Sequence, residues 1–223
     1  MVAVKICGIK EPETLKAAVK GGASYIGLVF YPPSPRAVSL DQAITLSGLT
    51  PDEIKVTGLF VDPGDDDIRR PAEYAWLDII QLHGNESPER VRQIKEIFGL
   101  PIIKAFRIGS KEDIDKTGEY KEVADWFLFD TKAEDSGLPG GSGKSFDWNM
   151  LAGRPVEKPW ILSGGLNAGN VLDALEKLAP DVIDLSSGLE IQRGEKSPEK
   201  ISAFFDVLKG SGNFSPSYIK SVK

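Results

Sequence analysis

Short apolar runs recur along this chain at nearly even spacing, and they leave few ways to fold it. Val2–Ile6, Tyr25–Phe30, Lys55–Val61, Leu77–Leu82, Ile102–Phe106, Trp126–Phe129, Trp160–Leu162 and Val182–Leu185 each read as a short strand with little polar interruption. A strand apolar on both faces must be covered on both faces, which is the situation of a parallel sheet clothed by helices. Helix signals stand between the runs. Pro12 opens a helix that Gly21-Gly22 ends, following the usual early-proline, late-glycine asymmetry. Ser39 caps a helix running toward Leu46, and Asp62-Pro63 opens the next. Ser87-Pro88-Glu89 starts one with Val91, Ile94, Ile97 and Phe98 on one face. Asn167 caps a helix carrying Val171, Leu172, Leu175 and Leu178, and Ser197-Pro198-Glu199 starts a last one through Leu208. Between the fifth and sixth strands stands a polar, weakly patterned helix region. About eight strand–helix units in 223 residues predict an α/β protein, a single-domain (β/α)8 TIM barrel over residues 1–210. An open doubly wound sheet is the alternative. Residues 211–223, poor in apolar side chains, are expected to form a tail.

Composition narrows the partners. The net charge is −6 and the pI about 5.0, so the chain lacks the electrostatic footprint of a nucleic-acid binder. No apolar run is long enough to span a membrane. The one cysteine excludes an intrachain disulfide framework and fits a reducing compartment. With no leader-like segment before the first strand, a cytoplasmic location is expected. Monomer and homodimer stay equally open.

A closed barrel brings every strand's C-terminal end to one mouth. That gathers Cys7, Arg36, Asp62, His83, Arg107, Asp130, Gly164-Gly165 and Ser186-Ser187-Gly188. The stretch Phe127–Trp148 is the richest: a strand, then Asp130, then a loop containing Gly137, Gly140, Gly141 and Gly143. An acid on a strand end is held firmly, and glycines let backbone N–H groups approach an anion. The plain alternative is a turn-forming aspartate beside a flexible loop. Gly143-Lys144-Ser145 resembles the end of an ATP-type P-loop, but that motif needs a glycine at position 138, which is Leu138. Loops after the seventh and eighth strands often hold phosphate in such barrels. Here the capable backbone donors are Gly164, Gly165, Ser187 and Gly188, with Ser142 and Gly143 available from the long loop.

Cys7 is either a small buried hydrophobe or, at the mouth, a base or nucleophile whose pKa its neighbours set. Lys5 alternates in phase with Cys7, so it points into the barrel and needs a partner, with Asp130 and Asp184 as candidates. His83 is the only histidine, and a lone histidine is more often structural than chemical. One His and one Cys make no convincing metal set, and no dinucleotide fingerprint is present. Arg36 follows the proline-rich loop Tyr31–Pro35, a stiff mount for recognising a carboxylate or phosphate.

Several of these motifs occur together in a fixed order. They are Lys5-Ile-Cys7-Gly8, Phe30 with Ser34-Pro-Arg36, Gln81-Leu-His83-Gly84, Asp130-Thr131, Gly140-Gly-Ser-Gly143 with Phe146-Asp-Trp148, Leu162-Ser-Gly-Gly-Leu166 and Asp184-Leu-Ser-Ser-Gly188-Leu-Glu190. In this order the chain resembles the phosphoribosylanthranilate isomerase family of tryptophan biosynthesis, from the first strand to about Lys196. Ser163, Ser142 and Leu189 stand where that family more often has alanine, threonine and valine, and none of these removes a reactive group. The resemblance implies a cofactor-free Amadori rearrangement of a phosphorylated sugar–anthranilate substrate. It implies Asp130 as general acid, Cys7 as general base, Arg36 on the anthranilate carboxylate, and His83 and Asp184 as substrate contacts. It places the phosphate on Ser142, Gly143, Gly164, Gly165, Ser187 and Gly188. It also asks that Asp130 be partly protonated and Cys7 partly thiolate near neutral pH. Competing readings are another sugar-phosphate barrel, such as indole-glycerol-phosphate synthase or the histidine-pathway aldose isomerase, which use other groups. A barrel that binds a phosphorylated ligand without turnover would need Cys7 or Asp130 turned from the mouth. A cysteine-nucleophile hydrolase would need His83 beside Cys7.

Overall fold

The computed structural model describes residues 1–131, 147–212 and 214. Eight strands form a closed parallel barrel in chain order. They are β1 (Ala3–Cys7), β2 (Tyr25–Val29), β3 (Lys55–Phe60), β4 (Ile79–Leu82), β5 (Ile102–Ile108), β6 (Trp126–Thr131), β7 (Trp160–Leu162) and β8 (Val182–Leu185). The ring closes where β8 pairs with β1 in parallel, with Lys5 opposite Asp184. The open doubly wound sheet is thereby excluded. Around the ring lie α1 (Pro12–Gly21), α2 (Leu40–Gly48), α3 (Asp65–Tyr74), α4 (Pro88–Phe98), α5 (Lys111–Asp115), α6 (Val171–Lys177) and α7 (Pro198–Gly210). A short hairpin, β9 (Glu190–Gln192) with β10 (Glu195–Lys196), follows β8. Among the described residues no helix is long and apolar enough to cross a membrane.

Strand alternation divides the core in two. Ala3, Ile79, Ile103, Trp126, Leu128 and Val182 belong to a cluster of inward side chains that fills the bore. The outward set, including Ile6, Leu28, Ile80, Phe127 and Leu185, packs with the helices. Burying each such large side chain contributes roughly 1.5–3 kcal/mol, so both layers are needed. The seam between α1 and α7 shows how tightly they fit. Ile201, Phe204, Phe205 and Leu208 form the buried stripe of α7. A Cβ on Gly21 would collide with the Phe205 ring, so the glycine that ends α1 also admits its neighbour. Phe214, beyond α7, is buried, bridges to Val2 and lies 5.6 Å from Phe205 between ring centroids.

Helix starts mostly fall where their side chains dictate. Ser39 and Gln42 make a reciprocal capping box for α2, and Ser87 and Ser197 accept the N3 amide hydrogens of α4 and α7. Two expected caps are displaced. Asp62 does not open α3, which begins at Asp65 after Gly64. Asp62 takes a left-handed conformation (φ 48°), and its Oδ1 accepts the Asn85 amide hydrogen at 2.6 Å, joining the loops after β3 and β4. The residue preceding α6 is Asn170, not Asn167. Asn167 instead shapes the turn before it, its Oδ1 accepting from the Gly169 amide at 2.8 Å. Strand limits also move slightly: β4 starts at Ile79 rather than Leu77, and β6 runs past Phe129 to include Asp130.

Candidate active site

At the C-terminal mouth the inward side chains stop being apolar. A cleft of about 650 Å³, open to solvent, is lined by Cys7, Arg36, His83, Asp130 and Asp184 together with Ser163, Gly164, Gly165 and Ser187. The chain thus brings five side chains and two loops named from the sequence to one place. Ser142 and Gly143 lie outside the described residues. Gly188 sits against the loop after β7, where a Cβ would collide with the Leu166 carbonyl.

Cys7 is the last inward residue of β1 and is 4% exposed. Its cross-strand partner is Gly27, and a Cβ there would come within 2.8 Å of the thiol sulfur, so only glycine makes room. Two residues earlier on the same face, Lys5 is fully buried and donates to Asp184 Oδ1 at 3.0 Å. Asp184, not Asp130, is therefore its partner. Burial opposes the charge on Lys5, but Asp184 and Cys7 outweigh it and raise the ammonium pKa. Burial pushes the Cys7 thiol up; Lys5 and Lys196 pull against it, and Asp184 adds to the rise. The resting cysteine is thus held toward the thiol, opposite to the partly ionised state expected for it. The two buried lysines are what favour its thiolate.

Asp130 is buried in β6, three strands from β1 around the ring. Its Oδ1 accepts the Thr131 amide hydrogen at 2.9 Å, and its Oδ2 lies 3.2 Å from His83 Nε2. The other ring nitrogen, Nδ1, lies 3.1 Å from Gln81 Nε2. His83 is therefore tied to Asp130 and Gln81, which removes the arrangement a Cys–His hydrolase would require. Since Cys7 and Asp130 both face the cleft, the condition for a non-catalytic barrel is not met either.

Arg36 shows what the sequence left out. It is buried, and its Nε and Nη2 donate to the two oxygens of Glu190 at 2.6 and 2.9 Å. Glu190 opens the β9–β10 hairpin, and its Oε2 also accepts the Gly194 amide hydrogen at 3.0 Å. Gly194 has φ 86°, and a Cβ would come within 2.6 Å of the Pro35 carbonyl. The hairpin thus clasps the loop bearing Arg36. Lys196 completes the cluster, donating to the Ser186 carbonyl at 3.2 Å and to Glu190 Oε1 at 3.4 Å. Burial pulls on Glu190 from one side, yet Arg36, Lys196 and the Gly194 N–H hold its carboxyl below the usual range. Burial dominates at Lys196 and lowers its pKa despite Glu190 and Cys7.

The small loops are shaped by their neighbours. Gly164 (φ 91°) leaves no space for a side chain, since a Cβ would collide with the Thr131 hydroxyl. The Gly165 carbonyl accepts from Asn167 Nδ2 and Asn170 Nδ2 at 3.1 and 3.0 Å, which fixes the turn leading to α6. A buried pair outside the bore supports the His83 side. Glu86 accepts from Lys104 at 2.8 Å and from the amides of Asp62 and Gly84, while Arg107 Nη2 donates to the His83 carbonyl at 3.2 Å.

Comparisons with known proteins agree with this architecture. The model of the family described as PRAI, N-(5'phosphoribosyl)anthranilate (PRA) isomerase, matches residues 4–207. A protein named N-(5'-phosphoribosyl)anthranilate isomerase from Rhodospirillum centenum is 46% identical over 205 residues, covering 91% of this chain and 96% of that protein. One of the same name from Paramagnetospirillum magneticum is 43% identical over 210 residues, covering 94% and 98%. The crystal structure of phosphoribosyl anthranilate isomerase from Thermotoga maritima superposes with a TM-score of 0.85 at 37% identity, covering 94% of this chain and all (100%) of that one. A crystal structure of such an isomerase in complex with reduced 1-(o-carboxyphenylamino)-1-deoxyribulose 5-phosphate superposes with a TM-score of 0.82 at 35% identity, covering 94% and 100%.

Proposed function

From the premise that the chain belongs to the N-(5'-phosphoribosyl)anthranilate isomerase family, we propose how its residues divide the reaction. The enzyme converts N-(5'-phosphoribosyl)anthranilate to 1-(2-carboxyphenylamino)-1-deoxyribulose 5-phosphate, an Amadori rearrangement in tryptophan biosynthesis. Asp130 is the general acid: it protonates the ribose ring oxygen, the bond from that oxygen to C1' breaks, and the anthranilate nitrogen and C1' become a protonated Schiff base. Cys7 is the general base: its thiolate removes the C2' proton, and the C2'–H electrons form the enolamine. Tautomerisation of the enol to the ketone, with a proton gained at C1', gives the product.

The observation that carries this reading is the placing of Cys7 and Asp130 in one cleft on well-separated strands, so that acid and base reach one sugar from different sides. Lys5 supports it as the cation beside a thiol that must ionise. Glu190 occupies one edge of the Arg36 guanidinium, and its remaining N–H groups are assigned to the anthranilate carboxylate. Gly164, Gly165, Ser187 and Gly188, with Ser142 and Gly143, are assigned to the phosphate, whose remote binding orients the reacting carbons. His83 and Asp184 are assigned to substrate contacts. The proposed domain is residues 1–210 with a tail beyond it, in a cytoplasmic protein with neither nucleic acid nor membrane as partner. Sedimentation would separate monomer from homodimer.

The test is direct. Freshly made N-(5'-phosphoribosyl)anthranilate is mixed with the protein, and the fluorescence change accompanying ketose formation is followed. Rapid conversion by wild type and loss of roughly a hundredfold or more in Asp130→Asn and in Cys7→Ala is expected, since a placed acid or base contributes about 10²–10⁴-fold. Near-normal turnover in either variant would remove that residue from its role. No conversion by folded wild type would overturn the reaction itself.

A further inference from the structure

Gln81 stands one alternation below His83 on the inner face of β4 and is fully buried. Its side-chain nitrogen lies 3.1 Å from His83 Nδ1, and the far ring nitrogen of that histidine lies 3.2 Å from Asp130 Oδ2. Among the described residues its Oε1 has no hydrogen-bond partner, although it is buried. A buried amide with an idle oxygen and an engaged nitrogen has been spent on one contact, and that contact is to a group whose hydrogen can sit in two places.

We propose that Gln81 is a positioning residue that fixes the ring hydrogen of His83 on Nε2 and thereby sets the hydrogen-bonding role of Asp130. An amide nitrogen can only donate, so Nδ1 must accept and, in a neutral imidazole, Nε2 must carry the hydrogen. Oδ2 of Asp130 then accepts from the ring. The reverse amide orientation would present Oε1 to Nδ1, place the hydrogen there, and leave a bare Nε2 facing Oδ2. That contact holds only when Oδ2 itself carries a proton. One amide in the barrel bore therefore selects between two hydrogen-bonding roles for the carboxyl 3.2 Å beyond the ring. The inference rests on the assignment of Asp130 as the acid and adds the group that sets its state. Backbone contacts hold the ring's mount in place: Arg107 donates to the His83 carbonyl and Lys104 to that of Gly84.

His83 is the only histidine in the chain, so protein labelled with ¹⁵N in histidine gives one ring to read. Nε2 is recognised by its coupling to both ring C–H groups. Wild type at neutral pH is expected to show a protonated Nε2 and a bare Nδ1. A carboxylate would by itself favour that tautomer, so the decisive background is Asp130→Asn. There the Nε2–H form is expected to persist because Gln81 still donates to Nδ1. Adding the near-isosteric Gln81→Met in that background is expected to give a mixture of tautomers. In the Asp130-containing enzyme, Gln81→Glu, which can only accept at neutral pH, is expected to draw a hydrogen onto Nδ1. A wrong imidazole tautomer can cost about 10⁴-fold where the ring itself moves the proton. Here the ring acts one step removed: moving its hydrogen to Nδ1 turns Oδ2 from acceptor to donor, the role the general acid needs, so kcat per folded enzyme is expected to rise roughly tenfold with KM nearly unchanged. The proposal is overturned by Nδ1–H in wild type, by tautomer scrambling in Asp130→Asn alone, or by no change on adding Gln81→Met. It is equally overturned if Gln81→Glu moves the hydrogen and kcat stays put. Turnover of Asp130→Asn tests the acid assignment separately, so the two failures are distinguishable.

Discussion

Two buried lysines stand in similar ion pairs on opposite sides of the barrel wall, and their protonation is pushed in opposite directions. Lys5 points into the bore and meets Asp184 at 3.0 Å; Lys104 points out beneath the helices and meets Glu86 at 2.8 Å. Both are almost completely buried, and burial is the largest influence on each. At Lys5 the carboxylate and the neighbouring Cys7 overcome it and the pKa rises. At Lys104 Glu86 and Asp62 together fall short of the burial cost, Arg107 adds a smaller repulsion, and the pKa drops. The nitrogen–oxygen distance therefore does not decide the outcome. The balance between burial and all the surrounding charges does. The inner lysine lies beside Cys7, the group proposed to act as base, and the outer one lies between Asp62 and Arg107, whose charges oppose each other. The first is coupled to the Cys7 thiol, and the second ties together the Gly84 and Ala105 carbonyls and Glu86.

The largest effect is expected at Lys5. Lys5→Met leaves Asp184 buried without its partner, which costs about 3–5 kcal/mol. It also removes the strongest influence favouring the Cys7 thiolate, so turnover per folded enzyme is expected to fall roughly a hundredfold. The limb of kcat against pH set by ionisation of Cys7 should move to higher pH. A limb that stays in place would uncouple Lys5 from Cys7. Lys104→Met is expected to lose a similar 3–5 kcal/mol in urea denaturation. Its turnover under folding conditions should remain within a few-fold of wild type, and a collapse like that of Lys5→Met would mean that the outer pair also supports the cleft.

Alkaline stability sharpens the contrast. Lys5 has a folded pKa above its ordinary 10.5, so the folded state holds its proton longer, and the stability it contributes is lost as pH rises through the folded value. Lys104 has a folded pKa below 10.5, so the unfolded chain binds more protons in that interval and stability gains as pH rises through it. Urea midpoints followed upward from pH 9 should therefore fall less steeply in Lys5→Met and more steeply in Lys104→Met than in wild type. The smallest effect concerns Lys196 and its partner. Glu190 has a depressed pKa, so its contribution is present above the ordinary carboxylate range and lost as pH falls through the folded value. Glu190→Gln should cost about 2 kcal/mol at neutral pH, weaken substrate binding through Arg36, and flatten the acid side of the stability profile.

What the sequence revealed follows from what each feature depends on. The eight strands were legible because a strand buried on both faces needs an unbroken apolar run, as in Trp126–Phe129. Lys5 was legible as an inward charge because its phase with Cys7 is a local property. The serine-proline-glutamate helix starts were legible for the same reason. Asp62 and Asn167 misled because their side chains satisfy backbone groups one loop or one turn away from the helix they were expected to cap. The β9–β10 hairpin was missed because its strands are only 3 and 2 residues long, too short to show alternation. Glu190 stood in a recognised motif, but its bond to Arg36 spans 154 positions, and no local pattern encodes such a pairing. Lys104 interrupts an otherwise apolar run, and its need for Glu86 becomes visible only once β5 lies against the loop after β4.

The long span between Arg36 and Glu190 has a consequence for how the protein comes into being. Arg36 leaves the ribosome early, but the carboxylate that seats it is made near the end, as is the Asp184 that neutralises Lys5 across 179 positions. Domains emerge and fold from the N-terminus during synthesis, yet here the first strand cannot be completed by anything made before the last. A chain interrupted before Asp184 would carry Cys7, His83 and Asp130 with no closed ring to bring them together. Competence in this molecule therefore arrives at a single late moment of translation, and a truncated product would be inert.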